Sequence, residues 1–434
     1  MCEPESLSIA RRGAVRVPRN RGYLLLLAPV LAYLVLFFVY PLARTLLQSL
    51  FDPGFTTRHY ADLFKYPVYL RVIWNTIRIS FTATLVCVAL GYPIAWCLSG
   101  PESNWTRALL FAVLLPFWIS ILIRTFAWMV ILGREGIVNQ LLLRAGLIEK
   151  PLHLIYNRFG VCVGLFPEQI SRIDWNRYGL IGFCGLVFCF LILPVFVIIP
   201  VAFSNDPLMH FPPHAWGVGL FREFFTSGKW LEATANSFRI AIAVMLLATA
   251  LGTPAAYSLA RGKYRGRGGL FALLVSPLII PAIVSAISIY FLFARFRLIG
   301  SITGMVLAHT VLAVPYVLVV MTTAFAGLDE RLEQASMSLG AGRLRTFFGV
   351  TLPLVRPAVI TSMLFAFIAS FDELITAMFI CGVRAITLPK QMWDGIRDEI
   401  DPVISAVAVL LILLSTLLLM ISLFVKKKRR IGSQ

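Results

Sequence analysis

Long apolar runs alternate with short polar stretches along the whole of this chain. Runs long enough to cross a bilayer fall near Tyr23–Leu47, Val72–Leu98, Ala108–Leu132, Gly179–Ala202, Ser237–Leu259, Gly269–Ala294, Ile302–Phe325, Pro357–Cys381 and Pro402–Val425. A membrane-spanning helix needs roughly 20 predominantly apolar residues. Hydrocarbon offers the backbone no hydrogen-bond partners, so each run must satisfy its own amides as a helix. The pattern predicts an all-α polytopic membrane protein with about nine transmembrane helices. A basic arm, residues 1–22, precedes the first run. That run continues through Pro41 without a small-x-small cleavage site, so it reads as a retained helix and not a cleaved signal.

The pattern repeats. A shift of 161 residues aligns 63–116 with 224–277 without a gap, and 14 of those 54 positions are identical. The matches include Asn75/Asn236, Arg78/Arg239, Gly91/Gly252, Pro93/Pro254 and Pro116/Pro277. Two related membrane modules are therefore expected: residues 23–165 with three helices, a junction at 166–175, and residues 176–434 with six. Nothing in the first half aligns with 305–425, so the first module is incomplete. Three crossings from a cytoplasmic start leave the junction outside, whereas the basic loops of the second module require it to start inside. Three explanations remain open: Leu154–Phe166 re-enters or crosses poorly despite Arg158, the first module inserts against its charge bias, or the reading frame has lost about a hundred residues. Loss of residues is the favoured expectation.

One polar stretch departs from the alternation. Between the seventh and eighth runs, residues 328–356 place Leu328, Leu332, Ala335 and Leu339 at spacings of four, three and four, one face of a helix. Gly340 follows where helices commonly end in the left-handed conformation. A second helical pattern starts near Arg343 and includes Phe347 and Phe348, and Pro357 suits the first turn of the next run. A helix, a glycine turn and a second helix suit docking into a groove of a soluble partner.

Charge and chemistry refine this picture. Only 14% of residues are charged, yet the net charge is +18. The basic residues cluster in the N-terminal arm, at Arg261, Lys263, Arg265 and Arg267, and in the tail Lys426–Arg430. That is the positive-inside pattern of a membrane protein with a cytoplasmic C-terminus, not a nucleic-acid surface. The seven cysteines and five histidines show no metal spacing; His210 and His214 are separated by Pro212 and Pro213, which prevent the helix that would join them. No metal or cofactor site is expected. Gly262–Gly269 lacks the order of a phosphate loop and reads as a cytoplasmic anchor.

Asp372 and Glu373 lie inside the eighth run. A carboxylate there costs about 2.5–3.5 kcal/mol on insertion scales, so it should face a partner or a water-filled path. Either acid could line a cation's route; alternatively they pair with Arg78 or Arg239, or cap a broken helix. The recurring asparagines and arginines read as interfacial anchors and caps, as do Trp216, Phe221, Phe224, Phe225 and Trp230 of the outer loop; a delivering protein could also touch them.

The stretch Gln334-Ala-Ser, three residues, Gly340, nine residues, Val350-Thr-Leu-Pro353 resembles the "EAA" loop of ABC importer permeases. Gln334 stands at the family's glutamate, with Glu333 beside it, and Ser336 at its second alanine. Residues 175–434, including Ser370-Phe-Asp-Glu373 and Thr387-Leu-Pro389, are similar to the second permease subunit of spermidine/putrescine-type importers. Residues 20–165, with Tyr156-Asn-Arg-Phe159, resemble the start of the paired first subunit. The resemblance implies the type I ABC importer permease fold in a bacterial inner membrane. It also implies that Glu333, Gln334, Ala335, Gly340, Leu352 and Pro353 form a coupling loop on an ABC ATPase dimer. That dimer would hold ATP and Mg, a periplasmic solute-binding protein would deliver a polyamine, and a second permease subunit could complete the assembly. The chain itself is expected to transport, not to catalyse. A secondary transporter driven by an ion gradient would share the repeat and the buried acids, but would not need this loop.

Overall fold

The structure is a computed structural model and describes residues 21–51, 54–99, 120–133, 136–148, 150–152, 193–205, 211–397 and 401–431. Among these residues it is helical, with only two isolated β-bridges. The first half contributes α1 (Arg21–Leu34), α2 (Tyr40–Gln48), α3 (Arg58–Lys65), α4 (Pro67–Ser99), α5 (Ile121–Leu132) and α6 (Ile137–Arg144). A π-turn, Val35–Val39, joins α1 to α2. The second half contributes α7 (Leu193–Ala202), α8 (Gly219–Thr226), α9 (Gly228–Arg261), α10 (Arg267–Val275), α11 (Ala282–Arg295) and α12 (Ile302–Ala326). It continues with α13 (Glu330–Ser338), α14 (Arg343–Thr346), α15 (Leu352–Leu354), α16 (Arg356–Phe371), α17 (Ile375–Ile380), α18 (Leu388–Arg397) and α19 (Val403–Ile431).

By length and hydropathy, four of these helical stretches can cross a membrane: Gly22–Gln48, Leu122–Arg144, Gly228–Arg261 and Ile302–Ala326. Two bent pairs raise the number to six: Arg267–Leu278 with Ala282–Arg295, at 90°, and Arg343–Leu354 with Arg356–Phe371, at 75°. The expected run Pro357–Cys381 is not one continuous helix, because α16 stops at Phe371 and α17 starts at Ile375. The disputed crossing at Leu154–Phe166 and the junction 166–175 lie outside the described residues.

The sequence repeat has a structural counterpart. Shifting the bounds of α3 and α4 by 161 residues gives Gly219–Thr226, which is α8, and 228–260, which is α9 short of one residue. Both pairs are separated by a residue in extended conformation, Tyr66 (φ −103°, ψ 109°) and Ser227 (φ −79°, ψ 116°).

The core forms around α9. Ala248, Ala255 and Ala256 are fully buried, and a Cβ added at Gly252 would meet Val317 of α12 at 2.8 Å. Small residues of this kind let membrane helices pack closely. Leu27, Val30, Leu34 and Phe38 from the start of the chain pack into the same core as Ile240, Val244, Met305, Val314 and Phe325. Leu122, Ile123 and Phe126 of α5 join a second core with Leu220, Trp230, Met392 and Val407. The first half is thus built into the second, and Ser258 Oγ donates to Tyr23 O at 2.6 Å to fix the start of α1 beside the end of α9.

Candidate functional site

At that end of the bundle sits the loop of residues 328–356. Asp329 caps α13 by accepting from Arg331 N at 2.9 Å. The helix ends as the sequence predicts: Gly340 has φ +87°, its amide bonds Met337 O at 3.0 Å, and Ala341 N bonds Ser336 O at 3.2 Å. This is the Schellman pattern, which a left-handed residue permits. The second, short helical pattern starts at Arg343 and includes Phe347 and Phe348, as the sequence predicts. After one α-turn it widens into a π-turn at Phe347–Thr351 before α15. Such turns often occur at functional positions.

Of the face read from periodicity, Leu328 is half-buried against the core and the other three residues point outward. Leu332 is 45% exposed and Leu339 90%, and Ala335 and Gln334 are exposed beside them. Met337, Leu344 and Phe348 add to this apolar surface, while Pro353 is exposed and Leu352 half-buried.

Glu333 departs from the expected partner-facing set. It is only 7% exposed, and its carboxylate turns into the bundle. Tyr257 Oη donates to Oε2 at 3.1 Å, Thr351 Oγ1 donates to Oε1 at 3.0 Å, and Arg261 Nη2 lies 3.6 Å from Oε1. A buried carboxylate needs such partners, because taking its charge out of water costs several kcal/mol. Arg261, one of the basic cluster, also turns into the bundle. Its side chain is 6% exposed, donates to Leu328 O at 2.8 Å and lies 3.4 Å from Glu330 Oε1. Around this cluster Tyr257 packs edge-on against Phe325 and Phe347, with centroids 5.3 and 5.1 Å away. Tyr257 escaped the sequence reading, which took Arg261 only as one of a basic cluster and Thr351 only as a motif position. The signal available was a tyrosine and an arginine four apart at a helix end, hence on one face.

The acidic pair sits at the break between α16 and α17. Glu373 Oε1 accepts from Thr376 N at 2.8 Å and so caps α17. Asp372 accepts from Ser120 Oγ, the N-cap of α5, and acts electrostatically on Arg124 one turn further along. The alternatives Arg78 and Arg239 are both exposed.

At the opposite end of α9, Asn236 is 3% exposed and is not an interfacial anchor. Its Nδ2 donates to Ile386 O at 3.2 Å and Arg384 O at 3.4 Å, and Ser237 Oγ accepts from Leu388 N at 2.7 Å. Of the outer aromatics, Phe224 and Trp230 are buried while Trp216 and Phe225 are exposed.

Residues 248–430 match the family described as binding-protein-dependent transport system inner membrane component. The chain is 34% identical over 250 residues to the putrescine transport system permease protein PotI of Escherichia coli (strain K12), covering 56% of this chain and 87% of that protein. The chain belongs to this permease family. It is also 28% identical over 251 residues to the spermidine/putrescine transport system permease protein PotC of Haemophilus influenzae, covering 57% of this chain and 96% of PotC. A shorter match, 37% over 110 residues, covers 25% of this chain and 38% of PotB of the same organism. A crystal structure of a bacterial ABC transporter involved in import of the acidic polysaccharide alginate matches with 17% identity and a TM-score of 0.45, covering 59% of this chain and 99% of that one. This permease is a membrane-spanning transport subunit, and its loop at 328–356 falls within the matched region.

Proposed function

We propose that this permease forms the membrane path of an ATP-driven importer for a polyamine and couples transport to a separate ATPase dimer through residues 328–356. The observation that carries the reading is the apolar face of Leu332, Leu339, Leu344 and Phe348, exposed on a loop that a buried glutamate holds from behind. Exposed apolar surface on a polar loop is normally kept for a protein partner. The loop lies beside Arg261 and the start of α1, on the side that the positive-inside rule assigns to the cytoplasm, with the basic C-terminal tail. A periplasmic solute-binding protein loads the opposite end, and a second permease chain supplies the other docking loop of the assembly. The ATPase holds ATP and Mg.

The named transport of putrescine and spermidine by the relatives supports a cationic substrate. We place Asp372, at the contact of α5 with the α16–α17 break, on the cation's route and give Glu373 the capping role. The test is uptake of radiolabelled putrescine into proteoliposomes holding the permease, its ATPase and its binding protein. Vanadate abolishes uptake and a protonophore leaves it unchanged. Uptake that a protonophore abolishes and vanadate spares would contradict the proposal.

A further inference from the structure

We infer that α9 is a rigid strut tying the ATPase-docking loop to the opposite end of the bundle, with Glu333 and Asn236 as the positioning residues at its two joints. The inference rests on the functional reading above and adds the route by which docking reaches the outer side. α9 runs unbroken from Gly228 to Arg261 despite Pro254. About 30 Å of helix separates Asn236 from Tyr257, close to the thickness of the hydrocarbon layer. Both ends are fastened by buried polar bonds. At one end Tyr257 and Arg261 hold the Glu333 carboxylate of α13, which also accepts from Thr351 of the π-turn. At the other, Asn236 and Ser237 hold the main chain at Arg384, Ile386 and Leu388.

Between the joints the helix is braced by the close contact of Gly252 with Val317 on α12. Beside the loop a cavity of about 370 Å³ lies between Tyr23, Leu26, Pro254, Met337 and Phe348. The Glu333 carboxylate at its wall bonds α13 to α9, so a push on α13 passes to α9 through that joint. The segment at the far joint is also pinned, since Gly382 (φ +53°) crosses Gly300, and Gly300 N bonds Ile380 O at 2.8 Å. Displacing α9 therefore moves residues 384–388 against a fixed neighbour.

The experiment measures stimulation of ATP hydrolysis by solute-loaded binding protein in the reconstituted full complex, for Glu333→Gln, Asn236→Ala and the double variant. Each single variant lowers stimulation about tenfold, within the usual range of coupling between distant sites, while the ATPase still co-purifies. Two breaks in one strut cost no more than the worse of them, so the double variant matches the more severe single. Distant sites acting independently instead add their free energies, so a double variant at the product of the two losses would overturn the inference, as would normal stimulation in both singles. Tyr257→Phe and Ser237→Ala, which each remove one hydroxyl, reproduce the effects in milder form if the first variants fold poorly; wild-type stimulation in both contradicts the strut. A wild-type complex without ATP-driven uptake overturns the functional reading itself, a distinguishable result.

Discussion

Helices α4 and α9 are two copies of one sequence pattern, and they meet different fates. Their bounds coincide after the 161-residue shift apart from one residue, yet one face of α9 is buried along its length while the outer half of α4 is bare. Trp230 is 3% exposed, and its counterpart Tyr69 is 50% exposed. Val72, Trp74 and Phe81 of α4 are 57, 65 and 65% exposed. Local sequence is sufficient to start and stop a helix. Burial depends on what else the chain brings, and α9 is covered by α12 and α16, from the region that has no counterpart in the first half. The joints differ too. Asn75 and Thr76 stand where α9 has Asn236 and Ser237, but Gly100 stands at the position of Arg261. The first copy keeps the asparagine of the outer joint, has a threonine for its serine, and lacks the arginine that holds Glu333 and the loop of residues 328–356.

That contrast can be broken by paired substitutions. The largest difference is expected between Trp230→Ala, which empties a packed site at a cost of about 3–5 kcal/mol, and Tyr69→Ala, which stays within about 0.5 kcal/mol. Thermal unfolding of the purified protein in detergent compares them, and equal losses would show that α4 is covered as α9 is. Asn236→Ala takes the donor from two carbonyls and empties a buried site, at about 1 kcal/mol, whereas Asn75→Ala changes stability little. The same melting measurement applies; a large loss at Asn75 would give the first copy a working outer joint. Gly340→Ala tests the docking loop alone. A Cβ there meets nothing within 4 Å, so only the left-handed backbone is strained, at about 1 kcal/mol. Uptake should fall severalfold with insertion unchanged, and normal uptake would remove the turn from the mechanism.

The sequence made some of this legible and hid the rest for physical reasons. The repeat, the end of α13 at Gly340 and the place of Pro357 depend on short-range backbone preferences, and each is found where expected. Periodicity also grouped Leu332, Ala335 and Leu339 on one face, but it cannot say whether a face turns toward its own bundle or toward a partner. The roles of Glu333 and Arg261 depended on residues 72 positions apart meeting across the bundle, which no local pattern encodes. Asn236 was misread for the same reason, since its partners lie about 150 residues away. The break at Asp372 and Glu373 was among the alternatives that two adjacent acids in an apolar run raise, but the apolar residues on either side gave no means of choosing it over an ion pair or a cation route.

We propose that the loop at 328–356 makes each copy of this chain a carrier of one ATPase. Native mass spectrometry of the complex purified with its ATPase measures that ratio directly. The account predicts one ATPase for each copy of this chain, with a second permease chain present whenever two ATPases are. Two ATPases on a single copy, without another membrane subunit, would contradict it.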